Sequence, residues 1–203
     1  DGSTITKVAT LEHDTDYAKN NSLVQVDNDT YALAYRGPDD DGFITTFTIP
    51  ADGSSITKVA TLEHDTDYAK NNSLVQVDND TYALAYAGTN DDGWITTFTI
   101  PADGSSITKV ATLEHDGGNG QGNSLVQVDN DTYALAYRGP GDDGFITTFT
   151  IPADGSSITK VATLEHDTDK GLANSLVKLN SKTYALAYSG PNDDGYFTLF
   201  EIS

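Results

Sequence analysis

The sequence repeats itself with a period of 51 residues. Residues 1–51, 52–102, 103–153 and 154–203 are four copies, the last one residue short. Copies one and two differ at only five positions: Thr4/Ser55, Arg36/Ala87, Pro38/Thr89, Asp39/Asn90 and Phe43/Trp94. A period of roughly 20–50 residues signals an array in which one supersecondary unit stacks on the next. Near-identity between copies marks recent duplication or deliberate design. It also means that a residue occurring four times has had little opportunity to diverge.

Each repeat reads as four short strands. In the first copy they are Ile5–Glu12, Ser22–Val26, Thr30–Tyr35 and Phe43–Ile49. Thr, Val, Ile, Tyr and Phe dominate them, which suits a pleated, half-buried surface. In the third, Tyr31, Leu33 and Tyr35 fall on one face and Ala32 and Ala34 on the other. A sheet with bulk on one face and alanine on the other can stack on a copy of itself. The connections are turn chemistry: Asp27-Asn28-Asp29, Asp40-Asp41-Gly42 and Pro50-Ala51-Asp52-Gly53, with Asn and Asp expected to take positive φ in the first. The one longer connection is His13–Asn21. Four antiparallel strands per repeat predict an all-β fold, a β-propeller of four blades in a single domain over residues 1–203.

The stretch Ser22–His64 runs SLVQV, a DND turn, TYALAY, a DDG turn, FITTFTI, a PADG turn, ITKVATLE and then His. In order, turn positions and terminal His it resembles the WD40-type propeller blade. The resemblance implies that Ser22–Val26 is an innermost strand and that Ile5–Glu12 is the outermost strand of a preceding blade. The position of the family's Trp is held by Phe47, Phe98, Phe149 and Phe200. With this phase, Tyr196–Ile202 is the third strand of the last blade and its outer edge is open. Pairing it with Ile5–Glu12 closes a ring and removes both edges. Closure within one chain gives four blades; closure between two chains gives an eight-bladed homodimer with two-fold symmetry.

Charge narrows the partners. Eleven Lys+Arg stand against 31 Asp+Glu, a formal net charge of -20. Nucleic acid requires a basic footprint, and an anionic membrane surface attracts basic segments, so neither is expected as a partner. With no Cys there is no disulfide framework and no thiolate ligand or nucleophile. The Asp excess is compatible with a secreted protein. Starting at Asp1 without Met, the sequence reads as a processed, trimmed or engineered segment.

Several residues invite a functional reading. His13, His64, His115 and His166 recur at the mouth of the longer loop, each followed by Asp. They are expected to be structural and bonded to a nearby turn aspartate, and no metal or cofactor is expected. The acidic turns at Asp39–Asp41 and its counterparts lack the spacing of a calcium loop, so they read as turns. No nucleophile, phosphate-loop or metalloprotease motif is present, and no catalytic residue is expected. Variation is concentrated in two places: Thr15–Asn20 with its counterparts, and Arg36–Asp39 with its counterparts. Both are expected on one rim, where loops that vary on a constant scaffold carry binding. That nominates Tyr17, Arg36, Tyr68 and Arg138 as binding residues for a glycan or protein ligand, and Trp94 joins Tyr17 and Tyr68 as an exposed aromatic able to stack on a sugar ring. The function expected is a non-enzymatic scaffold or binding module, alternatively a multivalent carbohydrate-binding propeller.

Overall fold

The computed structural model describes residues 2–203. The first sheet comprises β1 (Lys19–Gln25), β2 (Thr30–Arg36), β3 (Gly42–Thr48) and β4 (Thr57–Asp65). The second comprises β5 (Lys70–Asp78), β6 (Thr81–Ala87), β7 (Gly93–Thr99) and β8 (Thr108–Asp116). The third comprises β9 (Gln121–Gln127), β10 (Thr132–Arg138), β11 (Gly144–Thr150) and β12 (Thr159–Asp167). The fourth holds three strands among the described residues: β13 (Leu172–Lys178), β14 (Thr183–Ser189) and β15 (Gly195–Glu201). All pairings are antiparallel between chain neighbours. The alternation read in the sequence accounts for the middle strands, whose observed bounds lie within one residue of those expected.

The expected strand Ile5–Glu12 is not a strand. Its residues pair with nothing in a sheet, and Ile5 is fully exposed. Its identical counterpart Ile56–Glu63 does enter a sheet, through β4, because β3 lies alongside to take its N–H and C=O groups. Positive φ is also placed differently. It occurs at Asp39 and Asp40 and their counterparts, and at Asn20, Asn71, Gly122 and Ala173 where the inner strands bulge. The Asp27-Asn28-Asp29 turn has none.

The sheets stack by seating bulk on alanine. Ala32, Ala34 and Ile44 of the first sheet meet Tyr82, Leu84, Tyr86 and Phe98 of the second. Ala83, Ala85 and Ile95 meet Tyr133, Leu135, Tyr137 and Phe149 in the next seam. Ala134, Ala136 and Ile146 meet Tyr184, Leu186 and Tyr188 in the third. One hydrogen bond recurs in all three seams and a second in the first two. Leu74, Leu125 and Leu176 N–H donate to the Ser22, Ser73 and Ser124 hydroxyls at 2.9–3.0 Å. The hydroxyls of Thr46 and Thr97, both buried, donate to the Gly104 and Gly155 carbonyls at 2.7 Å.

Innermost strands β1, β5, β9 and β13 pack in that order, and no comparable contact joins β13 back to β1. The four sheets form an open arc whose two outward faces are unmatched.

Only four ion pairs form among the described residues, against a net charge of -20. Self-repulsion therefore opposes the compact state. The melting temperature should rise from low salt to 1 M NaCl, where the screening length falls to about 3 Å. A melting temperature that falls with salt would mean that the four pairs outweigh the repulsion.

Candidate functional site

Two connections share one rim of the arc. Between the second and third strands of each sheet runs a short 3-10 turn: Pro38–Asp40, Thr89–Asp91, Pro140–Asp142 and Pro191–Asp193. The long loop leading to the next sheet folds against it. Ala69 N–H donates to the Asp40 carbonyl at 3.2 Å, and Gly120 and Gly171 do the same to Asp91 and Asp142 at 2.8 Å. These are the two variable segments of the repeat, brought edge to edge.

On that rim, at the first seam, Arg36 stands between two tyrosines. Its guanidinium carbon lies 4.6 Å from the Tyr68 ring centroid and 5.4 Å from that of Tyr17. Lys19 stacks on Tyr17 at 4.5 Å and Lys70 on Tyr68 at 5.2 Å. Cations over aromatic faces at these distances attract the ring quadrupole. Arg36 also pairs with Asp40, and Lys70 with Asp91 at 2.5 Å. A shallow cleft of about 420 Å³ opens beside them, lined by Asp67, Tyr68, Thr89, Asn90 and Asp91. Thus Tyr17, Arg36 and Tyr68 come together as one cluster. Lys19 and Lys70, for which the sequence alone gives no reading, belong to it too, as does Asp91 of the second acidic turn. The one signal of the lysines is their place two residues after Tyr17 and Tyr68 in the variable loop.

Arg138 lies elsewhere. It pairs with Asp142 at 3.3 Å and lines a second, smaller cleft with Asn71, Gln121, Gly122, Leu172 and Ala173. Trp94 is half-buried against the first seam and covers Gly88, where a Cβ would come within 2.7 Å of its ring. It occupies the place of Phe43 and Phe145, which cover Gly37 and Gly139.

The histidines lie behind the rim. His64 and His115 are buried, edge-on to Tyr86 and Tyr137 at 5.0 and 4.8 Å and to Phe98 and Phe149 at 5.7 and 5.8 Å. The hydrogen bond expected from His to aspartate is absent. It is the tyrosine hydroxyl that reaches the aspartate, Tyr86 to Asp65 at 3.0 Å and Tyr137 to Asp116 at 3.2 Å. The imidazole nitrogens have no hydrogen-bond partner, and the ring instead abuts a glycine: a Cβ on Gly42 or Gly93 would fall 2.5–2.6 Å from its Cε1. Burial pulls the His64 pKa down to about 4, with Lys109 adding and Asp65 opposing. Burial, then Lys160, brings His115 to about 3. Burial also raises Tyr86 and Tyr137, aided by Asp65 and Asp116. The aspartates after each His cap their own loops, Asp65 accepting from the N–H of Asp67 at 3.1 Å.

By sequence, the chain matches no protein-family model and no curated protein. By structure it is similar to the NanB sialidase of Streptococcus pneumoniae: TM-score 0.66, 13% identity, 89% of this chain and 30% of that one. The fold is that of a β-propeller. It is also similar to Saccharomyces cerevisiae Sqt1, with a TM-score of 0.59, 10% identity and coverage of 92% and 45%. A putative 6-phosphogluconolactonase from Bacteroides fragilis superposes with a TM-score of 0.62, 15% identity and coverage of 90% and 55%. The chain therefore spans about a third to half of the length of these propellers. Enzymes stand among them, and at such identities the likeness extends to the fold alone.

Proposed function

We propose that this propeller is a non-catalytic binding module of WD40-like build that engages its ligand on the rim carrying Tyr17, Arg36, Tyr68 and Lys70. The observation that carries this reading is the coincidence of variation and chemistry. The repeat is nearly invariant in its seams and varies where the tyrosine–cation cluster and its acidic cleft sit. Two of the histidines that would suit acid–base chemistry are withdrawn from that rim. His64 and His115 are enclosed by Tyr and Phe, and a group that cannot reach substrate cannot exchange protons with it.

A carbohydrate ligand is the second reading. Tyr rings, a guanidinium and carboxylates around a shallow polar cleft suit hydroxyl-rich molecules. The test is a glycan array followed by titration calorimetry with any sugar that scores. The expected result is binding weakened at least tenfold by Arg36→Ala or Tyr68→Ala, with melting temperature little changed. Turnover of a scored sugar, or binding indifferent to both substitutions, would contradict the reading.

A further inference from the structure

The two ends of the arc are the two halves of one seam. Leu74, Leu125 and Leu176 are buried by the preceding sheet to 6%, 4% and 3% exposure, whereas Leu23 at the same place in the first sheet is 63% exposed. Ile44, Ile95 and Ile146 are buried by the following sheet, whereas Phe197 in the fourth sheet is 72% exposed. Gly42, Gly93 and Gly144 each carry an imidazole, while nothing lies within 4 Å of the corresponding point on Gly195. The outer edge of β15 is unpaired, and so is the segment Ile5–Glu12.

The segment is nonetheless anchored where a preceding sheet would put it. His13 sits edge-on to Tyr35 at 4.9 Å and to Phe47 at 5.9 Å, as His64 does to Tyr86 and Phe98. Tyr35 donates to Asp14 at 3.2 Å, as Tyr86 does to Asp65. Lys58 donates to the His13 carbonyl at 3.3 Å, as Lys109 does to that of His64. His13 and Asp14 therefore hold the places that the end of a preceding sheet's outer strand would give them.

We propose that two copies of this chain close into one ring, each donating Ile5–Asp14 as the fourth strand of the other's last sheet. Transferring the β3–β4 register by the repeat sets Asp14 opposite the partner's Gly195 and Glu12 opposite the partner's Tyr196. Leu11 then faces the partner's Phe197, Thr10 the partner's Thr198, Lys7 the partner's Phe200 and Thr6 the partner's Glu201. Each N–H and C=O edge gains a partner, and Leu23 gains the apolar cover that Leu74 has. His13 comes to rest on the partner's Gly195. Self-closure is not what the chain shows: β13 makes no contact with β1 comparable to those between neighbouring inner strands, and the arc covers 30%, 45% and 55% of the lengths of the NanB, Sqt1 and Bacteroides chains. Two half rings joined reciprocally have closed two-fold symmetry and leave no open edge.

The chain has no cysteine, so the register is testable by single disulfides. Leu11→Cys and Phe197→Cys variants are refolded together and oxidised, and the wild-type mass is measured by sedimentation equilibrium. The expected results are a mass twice the 21.6 kDa of the chain and a covalent dimer that forms only in the mixture. Thr10→Cys, whose side chain would point to the other face of the strand, should cross-link poorly with Phe197→Cys. A wild-type mass of one chain would overturn the proposal, as would an intrachain disulfide at single-chain mass in a chain carrying both Leu11→Cys and Phe197→Cys. Open-ended assemblies of wild type larger than a dimer would overturn it too.

Discussion

Truncating Leu74 to alanine should cost about 2–5 kcal/mol, while the same change at Leu23 should cost under about 1 kcal/mol in dissociated chains. Both leucines occupy the same repeat position and the same strand register. Leu74 lies in the first seam among Val26, Ala32, Ala34 and Tyr82, so its loss leaves a cavity between two sheets that cannot collapse without moving backbone. Leu23 has no sheet in front of it. Urea denaturation of the two variants at high dilution measures the difference directly. Equal losses would mean that the seams are not where the chain's stability resides. At concentrations where two copies associate, the Leu23 variant should instead lose affinity for its partner.

Acidification from pH 7 to about 4.5 should destabilise the fold by about 2–3 kcal/mol for each of His64 and His115. Both imidazoles have folded pKa values depressed by burial, to about 4 and about 3. Below the ordinary value of 6.5 the unfolded chain takes up a proton at each site and the folded chain does not. Stability is therefore lost as pH falls from 6.5 toward the folded values, and is regained as pH rises through the same window. The charged neighbours are Lys109 and Asp65 around His64, opposing one another, and Lys160 beside His115. The carboxylates held low by loop and tyrosine hydrogen bonds, such as Asp14 and Asp167, add their own loss only at lower pH. Urea midpoints at pH 7 and 4.5 should separate widely in the wild type and draw together in a His64→Gln/His115→Gln variant. A wild-type stability that is flat over this range would show that the imidazoles are hydrated and titrate normally.

Much of this architecture is legible in the residues. The alternation of Tyr31, Leu33 and Tyr35 with Ala32 and Ala34 predicts the very contact that makes each seam, because strand periodicity assigns faces without knowledge of the neighbour. What the alternation lacks is the neighbour itself. Ile5–Glu12 and Ile56–Glu63 have the same eight residues, yet only the second is in a sheet. The difference lies in whether an unpaired edge stands beside it, which is a tertiary fact. The histidine was legible as a structural element of the loop mouth, but its surroundings were not. His and Asp adjacent in sequence point to different places here, and the aspartate turns to a tyrosine 21 residues on.

At the rim, repeat-to-repeat variation pointed to Tyr17, Arg36 and Tyr68 because loops on one rim vary together. Trp94 stood out as an exposed ring able to stack on a sugar, whereas it is half-buried and holds the position of Phe43, a ring laid over a glycine. Lys19 and Lys70 drew none, since a single lysine in an exposed loop carries no pattern until its ring partner is placed.

Amide hydrogen exchange over residues 5–12, read in samples of known mass, bears most directly on the claim that the arc's ends are complementary halves of one seam. In the doubled species, residues 5–12 should be protected to the same degree as residues 56–63, and the β15 edge should slow with them. In the single chain, residues 5–12 should exchange at the rate of unstructured peptide while β6 and β10 stay the slowest to exchange. Protection of residues 5–12 in a species of single-chain mass, or its absence in a species of doubled mass, would contradict the account.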